Sequence, residues 1–326
     1  MFNIQTVPTS KELLDKAFRK SVRARAGKAP GRAAEKAMIL TASNILADNL
    51  RLVVRRFPNL DEIGPFYAET IDIVIGIDKL KMSLASVNWA ATKIHQLSRA
   101  AIARIPRVPD AKAVRKQMFG RAASIMREIH SDLDFLNKAR RTINAFPALG
   151  DEPTILVAGY PNVGKSSFVA FVTSATPEIA LYPFTTKGIV VGHIKYRERR
   201  YQIVDLPGLL DRPLFKRNPI ELQAISALKH LGDVILFIVD PSDTSGYIVP
   251  DQLSLLNELR LQVALPIIVA TNKIDLKPTE SVEESFKIST KSGEGIAQVL
   301  KALIDLANSS HRKVPETFER NKVAES

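Results

Sequence analysis

The stretch Gly159-Tyr160-Pro161-Asn162-Val163-Gly164-Lys165-Ser166, followed by Ser167, matches the phosphate-loop pattern G-x-x-x-x-G-K-[ST]. An apolar run, residues 154–158, precedes it and a second apolar stretch, residues 168–172, follows it. This order predicts a strand, a tight loop and a helix start, where backbone N–H groups and the helix dipole hold a phosphate. Lys165 would reach the β- and γ-phosphates, and the Ser166 hydroxyl would bind Mg²⁺. A single match occurs by chance and fits ATP or GTP, so the accompanying motifs decide.

Two further motifs specify the metal and the base. Asp205-Leu206-Pro207-Gly208 is D-x-x-G at the end of the apolar run 201–204, so Asp205 is expected to hold Mg²⁺ and the Gly208 N–H to contact the γ-phosphate. Asn272-Lys273-Ile274-Asp275 is N-K-x-D after the run 267–270. The Asp275 carboxylate can accept two hydrogen bonds from guanine N1–H and its amine, a donor pair that adenine lacks. This element predicts GTP and not ATP.

Two shorter elements complete the predicted site. Ser289-Thr290-Lys291 fits the loop whose backbone N–H meets guanine O6, and one of the pair Thr185-Thr186 is expected to ligate Mg²⁺, with Thr186 preferred. The candidate nucleotide-binding residues are Gly159, Tyr160, Pro161, Asn162, Val163, Gly164, Lys165, Ser166, Ser167, Thr185, Asp205, Gly208, Asn272, Lys273, Asp275, Ser289, Thr290 and Lys291. The candidate metal ligands are Ser166, Thr186 and Asp205, and the candidate catalytic residues are Asn162, Lys165, Thr186 and Gly208.

The pattern along the chain predicts two domains and a tail. Residues 1–150 form a basic helical domain, a helix bundle; residues 151–309 form a P-loop α/β domain; residues 310–326 form a polar C-terminal tail. The α/β domain is predicted as a mostly parallel sheet with helices on both faces, with the ligand at the carboxyl ends of the strands. Helices are expected from residue 10 and near 33–56, 64–76, 78–104, 111–129, 131–146, 165–173, 219–230, 249–262 and 296–309. Strands are expected near 154–158, 188–195, 200–204, 233–239, 267–271 and 285–288.

Charge is divided unevenly between these domains. The net charge of the chain is +12, and residues 1–150 hold 26 Lys and Arg against 13 Asp and Glu, whereas the remainder is nearly neutral. A basic helical domain next to a neutral α/β domain suggests contact with a polyanion, although such an excess also serves only to keep a helical surface soluble. Trp89 shares helical spacing with Met82 and Ala85, which favours a core position over a base-stacking platform.

Composition excludes several classes of site. The chain has no cysteine, so it has no disulfide framework and no cysteine-based zinc site or nucleophile, as expected of a cytoplasmic protein. No signal peptide is expected, and the apolar stretch 71–77 is too short to span a bilayer, so neither a membrane partner nor a transmembrane segment is expected.

The segment from Gly159 to Lys291 resembles an Obg-related GTPase of the translation-factor class. The resemblance is carried by the phosphate loop, by Tyr182-Pro183-Phe184-Thr185-Thr186-Lys187-Gly188 and by Asp205-Leu206-Pro207-Gly208-Leu209. In the first half, Pro65-Phe66-Tyr67-Ala68-Glu69 and residues 79–85 resemble the helical domain of the nucleolar GTP-binding (Nog-type) family. The chain is expected to be a short, archaeal-type member without the long C-terminal extension of eukaryotic members.

This resemblance implies a role and a set of cofactors. The expected function is that of a GTPase with GTP or GDP and Mg²⁺, acting in large ribosomal subunit assembly and binding rRNA or the pre-ribosome through the helical domain. The second threonine of Phe-Thr-Thr is the usual Mg²⁺ ligand, which supports Thr186, and in relatives an asparagine at the position of Asn162 helps to hold K⁺. The other interpretation of Asn162 is that it merely stabilises the loop.

The position after D-x-x-G predicts slow chemistry. GTP hydrolysis often uses a water-orienting glutamine there, but the residue is Leu209. We expect a low intrinsic rate, raised by an unidentified activating partner or by an ion, and two switch segments near residues 174–187 and 206–217. Two other functions stay open: an RNA-binding placeholder with incidental hydrolysis, and a signalling GTPase unconnected with ribosomes.

Overall fold

The computed structural model describes residues 2–25, 31–146, 149–150, 152–173, 177–180, 188–207, 210–211, 217–242, 244–278 and 280–311. Within them the first part of the chain is helical: α1 (Ser10–Ala24), α2 (Arg32–Arg56), α3 (Pro65–Ile75), α4 (Ile77–Arg104), α5 (Ala111–Glu128) and α6 (His130–Asn144). Packing divides the chain into two units. The first, called the helical unit, holds residues 2–64 and 74–144; the second, called the α/β unit, holds residues 65–73 and those from 145 onward.

The helical unit is a bundle built around α2 and α4. Both helices bury one face, and a hydrogen bond from Ser43 to Ser98 (2.8 Å) joins them inside the core. Phe18 of α1 stacks on Phe119 of α5, with ring centroids 4.6 Å apart. Because apolar residues recur at helical spacing along each element, packing the helices together removes these stripes from water. The helices predicted from residue 33 to residue 146 are confirmed, with ends within two residues of those expected.

Helix α2 is long and apolar enough to cross a membrane by length and composition. Ten of its 25 residues are buried, and it packs against α1, α4 and α5. Its hydrophobicity is therefore that of the central helix of a bundle.

The prediction that Trp89 lies in the core is wrong. Trp89 is 44% exposed and Met82, seven residues earlier on the same face of α4, is 73% exposed. The core face of α4 is instead formed by smaller residues, including Val87, Ala90, Ala91 and Ile94, which allow close helix approach.

The α/β unit contains a seven-stranded sheet in the order β2-β3-β4-β1-β5-β6-β7. Its strands are β1 (Thr154–Ala158), β2 (Glu178–Ala180), β3 (Ile189–Tyr196), β4 (Arg199–Asp205), β5 (Val234–Val239), β6 (Ile267–Thr271) and β7 (Phe286–Lys287), and its later helices are α7 (Lys165–Val172), α8 (Pro219–Ala227), α9 (Val249–Gln262) and α10 (Ile296–Ser310). Strands β4, β1, β5, β6 and β7 pair in parallel, whereas β2, β3 and β4 pair antiparallel. The predicted mostly parallel P-loop fold is confirmed.

The sheet core explains why the chain folds this way. Every residue of β1 and β5 is buried, so both faces of the central strands are covered, as continuous apolar runs in parallel sheets require. Parallel pairing brings the carboxyl ends of β1, β4, β5 and β6 to one edge, and the predicted motifs follow these ends. Strand β2 was not predicted; it adds three residues at the sheet edge within the segment assigned to the first switch.

The first nine residues of α3 belong to the α/β unit. Phe66 is part of its hydrophobic core, and the Tyr67 hydroxyl accepts a hydrogen bond from the Leu149 backbone N–H (2.9 Å). Glu69 lies 3.3 Å from the ring of His230, which follows α8. The domain boundary expected near residue 150 is a division along the sequence. Packing instead groups residues 65–73, which precede that boundary, with the later part of the chain.

Candidate functional site

The phosphate loop connects β1 to α7, and two of its glycines are required by their surroundings. Gly159 has φ 133°, and a Cβ there would lie 2.4 Å from the Ile238 carbonyl oxygen on β5. Gly164 has φ 104°, and a Cβ there would lie 2.2 Å from Nδ2 of Asn272. Neither the backbone conformation nor the space accepts a side chain. The loop is therefore held against two neighbouring segments of the sheet edge.

Lys165 begins α7 and is folded over the loop. Its Nζ donates to the carbonyl oxygens of Gly159 and Tyr160, both at 2.8 Å. Burial lowers the pKa of the Lys165 ammonium, and the carboxylates of Asp205 and Asp211 oppose this effect. Among the described residues the Lys165 ammonium donates hydrogen bonds to backbone carbonyls alone, so an incoming phosphate oxygen would give it a stronger, charged partner.

Asp205 ends β4 and lies beside Ser166. The Ser166 hydroxyl donates to Oδ2 of Asp205 (3.0 Å), and Asp205 is fully buried. Its Oδ1 has no hydrogen-bond partner in the described part of the chain. Burial raises the pKa of Asp205, while Lys165 and Ser166 counteract the increase.

An orphaned buried carboxylate oxygen next to a hydroxyl fits Mg²⁺. This ion takes oxygen ligands, uses one or two carboxylates and keeps several waters or phosphate oxygens in its coordination sphere. No group of three or more His, Asp or Glu is positioned to hold a metal in the part of the chain that the structure describes. The site therefore suits an ion that arrives with a phosphate ligand, and does not resemble an all-protein metal cage.

Asn272 connects the phosphate loop to the segment after β7. It is fully buried, and its Nδ2 donates to the Val163 carbonyl oxygen (2.8 Å). Its Oδ1 accepts from the Thr290 backbone N–H (3.0 Å), and Nδ2 also lies 3.2 Å from the Thr290 hydroxyl. One side-chain amide thus fixes two loops relative to each other.

Asp275 and Ser289 form the part of the site predicted to recognise the base. The Ser289 hydroxyl donates to Oδ1 of Asp275 (2.6 Å) and accepts the backbone N–H groups of Lys291 (3.3 Å) and Ser292 (3.1 Å). The hydrogen bond from Ser289 lowers the pKa of Asp275, whose carboxyl group is exposed. An ionised, oriented and accessible carboxylate is what a donor pair on a purine edge requires.

Lys273 bridges the two ends of the site. Its Nζ donates to the Asn162 carbonyl oxygen (2.9 Å), to Oδ2 of Asp240 (2.6 Å) and to Oγ1 of Thr244 (2.6 Å). Asn162 and Lys273 both have positive φ, 63° and 62°, and Asn162 belongs to the residue types that tolerate this conformation best. The lysine therefore ties the phosphate loop to the loop after β5.

Asp240 is part of the site but is not among the residues predicted from the sequence. It directly follows β5 and is fully buried, and its Oδ1 accepts from the Ser242 backbone N–H (2.9 Å) and hydroxyl (2.6 Å). Gln252 of α9 pairs with the Asp240 backbone in both directions. Burial acts to raise the pKa of Asp240, but hydrogen bonds from Lys273 and Ser242 outweigh it and lower the pKa. Its signal was available: an acidic residue at the carboxyl end of a wholly apolar strand.

Tyr160 contributes to the site through its backbone. Its ring is buried and packs on Tyr247 with centroids 4.5 Å apart. Burial raises the pKa of the Tyr160 hydroxyl, and nearby acidic side chains, Asp251 first, add to the increase. The tyrosine thus anchors the loop to the segment before α9, while its carbonyl oxygen accepts from Lys165.

The other predicted residues fall into two groups. Pro161 lies on the loop between Tyr160 and Asn162, and Ser167 is exposed on the first turn of α7. Thr185, Thr186, Gly208 and Leu209 lie outside the described residues, so their assignments stay predictions.

Two parts of the sequence match known protein families. Residues 2–149 match the NOG1 N-terminal helical domain, and residues 219–275 match nucleolar GTP-binding protein 1 (NOG1). An uncharacterised protein of Methanocaldococcus jannaschii is 42% identical over 252 residues, which cover 76% of this chain and 71% of that protein. The chain belongs to the nucleolar GTP-binding protein 1 family. The resemblance to the Nog-type family is confirmed.

Named members of the family are longer than this chain. Nucleolar GTP-binding protein 1 of Drosophila melanogaster is 37% identical over 254 residues, covering 76% of this chain and 39% of that protein. The Encephalitozoon cuniculi protein of the same name is 34% identical, with 76% and 48% covered. The chain thus matches less than half the length of each of these two relatives.

Solved structures resemble about half of the chain. A Plasmodium falciparum protein described as nucleolar GTP-binding protein 1 is 32% identical, covers 50% of this chain and 91% of its own, and gives a TM-score of 0.45. The G domain of the FeoB iron transporter of T. maritima is 22% identical, covers 48% of this chain and 99% of its own, and gives a TM-score of 0.39.

The Asp240 network predicts a pH-dependent contribution to stability. Because the folded-state pKa of Asp240 lies below the value of 3.8 for a free carboxyl group, ionisation favours the folded state above that pH. Asp240→Asn should lower the free energy of unfolding by about 1–3 kcal/mol at pH 7, since a charged hydrogen-bond partner of Lys273 is lost. The difference from wild type should persist down to about pH 5 and narrow as the pH falls below 3.8.

Urea unfolding of the ligand-free protein, followed by circular dichroism, measures this difference. The matched control is Asp305→Asn, an exposed aspartate on α10, which should change stability by less than about 0.5 kcal/mol. An Asp240→Asn variant as stable as the control would contradict the assigned role.

Proposed function

We propose that this chain binds guanine nucleotide at the carboxyl edge of its sheet and hydrolyses GTP. The observation that carries the proposal is Asn272, whose amide joins Val163 of the phosphate loop to Thr290. Ser289, the neighbour of Thr290, orients the Asp275 carboxylate. Phosphate binding and base recognition are thereby parts of one connected structure, and the names of the curated relatives agree with it.

Each described residue has a task in this proposal. Backbone N–H groups of the phosphate loop and the positive end of α7 bind the phosphates, and Lys165 exchanges its carbonyl partners for phosphate oxygens. Ser166 and Asp205 would hold Mg²⁺, with Thr186 as a third ligand, and the bound ion supplies positive charge that offsets the charge of the phosphates. Because Leu209 cannot orient water, we propose a low intrinsic rate that a partner or an ion raises.

Asp275 is expected to determine the choice of base. An Asp275→Asn variant presents one acceptor and one donor where the wild type presents two acceptors, which matches the N1–H and C2=O of xanthine and not guanine. We expect GDP affinity to fall roughly 10²- to 10⁴-fold and XDP affinity to rise above that for GDP, because the guanine amine would face the asparagine NH₂ and leave a donor unpaired in the complex. Isothermal titration with GDP and XDP measures both affinities.

The control for this exchange is again Asp305→Asn, which changes the same charge far from the site. A variant at position 275 that still prefers GDP over XDP would show that Asp275 does not recognise the base.

Asn162 is expected to make GTP hydrolysis depend on potassium. We propose that the exposed Asn162 side chain helps to hold K⁺ near the phosphates, so that hydrolysis is faster in KCl than in NaCl. An Asn162→Gly variant retains the positive φ but lacks the side chain, so it should keep its nucleotide affinity and lose the difference between the two salts. Phosphate release measured in both salts tests this.

Equal wild-type rates in KCl and NaCl would contradict the potassium role. In that case the asparagine serves only the conformation of the loop.

We propose further that the protein acts in large ribosomal subunit assembly, in the cytoplasm, and that its helical domain binds rRNA or the pre-ribosome. Two observations support this: the positive charge concentrated in residues 1–150, and membership of a family whose curated members are named nucleolar. The nucleotide state would alter RNA affinity, and linkage then requires RNA to alter nucleotide affinity equally.

Co-sedimentation with large ribosomal subunits and their precursors tests this role. We expect association with precursors that differs between a GTP analogue and GDP, and that weakens at higher salt because phosphates are contacted. Equal association in all nucleotide states would favour an RNA-binding placeholder. No association at physiological salt would contradict the ribosomal role and favour a signalling GTPase.

A further inference from the structure

Helix α4 presents an exposed face that carries two large apolar side chains. Met82 and Trp89 are seven residues apart, which places them on one side of the helix at a separation of about 10 Å. Their exposed fractions are 73% and 44%. Scattered exposed apolar residues are common, so exposure alone indicates no function. The residues around them make this face different.

No acidic residue occurs from Lys79 to Pro109, although the whole chain holds 34 Asp and Glu in 326 residues. Over the same stretch there are six Lys and Arg. The helical unit as a whole contains 26 Lys and Arg against 11 Asp and Glu. Beyond its first turn, which holds Asp78, helix α4 carries no acidic residue, and it belongs to a basic unit, which favours a polyanionic partner.

The cations of α4 differ in their engagement. Lys79 lies over the Phe135 ring at 4.6 Å, Lys81 pairs with Asp61 at 2.8 Å, and Arg104 donates to Gln117. Lys93 and Arg99 are exposed and form no hydrogen bond or ion pair with the described residues. Lys93 is four residues after Trp89, one turn along the same face.

We propose that the exposed face of α4 formed by Met82, Trp89 and Lys93, with Arg99 further along the same helix, binds an unpaired RNA segment. A base stacks on the Trp89 indole and a neighbouring phosphate is neutralised by Lys93. Arg99, about 15 Å beyond Trp89 along the helix, neutralises a phosphate further along the strand. This inference rests on the proposed RNA-binding function of the helical domain and names the surface that performs it.

The chemistry of the face distinguishes RNA from other partners. Proteins commonly hold single-stranded nucleic acid by stacking its bases on aromatic side chains that lie next to cations. The exposed polar residues Asn88, Thr92 and Gln96 interrupt the apolar stripe, so it lacks the continuous apolar face that would enter a membrane surface. The side-chain amides of Asn88 and Gln96 can donate hydrogen bonds to base edges and accept hydrogen bonds from them.

Trp89 is the one tryptophan in the sequence, so the intrinsic tryptophan fluorescence of the protein measures the surroundings of this side chain. Adding a 12-nucleotide oligoadenylate to the full-length protein should quench the intrinsic tryptophan fluorescence, because a base then stacks on the indole. Trp89→Ala should weaken binding of the fluorescein-labelled oligonucleotide roughly 5- to 150-fold, and Trp89→Phe should recover most of the affinity. Lys93→Met should reduce the slope of log affinity against log salt by about 0.7.

Leu40→Ala is the matched control, since Leu40 is an exposed apolar residue of α2 in the same unit. It should leave RNA affinity unchanged, and circular dichroism should show that all variants are folded. Wild-type RNA binding without quenching, and unaltered in Trp89→Ala, would overturn the role of this face while leaving RNA binding by the helical domain intact. If the wild type binds neither oligoadenylate nor ribosomal RNA, the RNA-binding function itself is contradicted.

Discussion

The organisation of the site depends on one buried side-chain amide. Asn272 has no access to solvent and uses both ends of its amide, donating to Val163 and accepting from Thr290. If the buried Asn272 amide lost either partner, the unpaired group would cost its full desolvation free energy. The two loops therefore stay together unless another hydrogen-bond partner replaces the lost one. The absence of a side chain at Gly164 is a consequence, because a Cβ would collide with Nδ2 of Asn272. The phosphate loop thus owes its position to the segment that we propose to recognise the base.

A second layer of electrostatics supports this arrangement. Lys273 brings a positive charge beneath the loop, and the buried carboxylate of Asp240 balances that charge. The lysine also donates to the Asn162 carbonyl oxygen. Asn272 and Lys273, the two residues that follow β6, therefore both hold the phosphate loop in place. Such a network acts as a preformed frame, because little reorganisation remains to be done when an anionic ligand enters. Outside this network, Oδ1 of Asp205 has no hydrogen-bond partner among the described residues.

Much of this architecture could be predicted from the sequence. The strands and helices of the α/β unit were located because apolar runs and phosphate-binding motifs constrain each other, and the motif spacing then predicted which loops meet at the sheet edge. Four features were not predicted. Strand β2 has three residues, too few for an apolar pattern to identify it. Asp240 belongs to no recognised motif, although its position after a buried strand indicated a role. Trp89 was assigned to the core because periodicity describes which residues share a face and not which face is buried. The grouping of residues 65–73 with the α/β unit depends on contacts between distant parts of the chain, which no local pattern encodes.

We propose that the connected network of Asn272, Lys273 and Asp275 selects guanine nucleotide. Isothermal titration of the ligand-free wild-type protein with GDP and with ADP, each with and without Mg²⁺, tests it most directly. The account predicts that GDP binds at least about a hundredfold more tightly than ADP, because Asp275 would face adenine without a matching donor pair. We also expect the preference for GDP over ADP to be retained when Mg²⁺ is removed, since Asn272, Lys273 and Asp275 form no hydrogen bond with Ser166 or Asp205 in the described part of the chain. Equal affinity for GDP and ADP, or binding of neither, would contradict it.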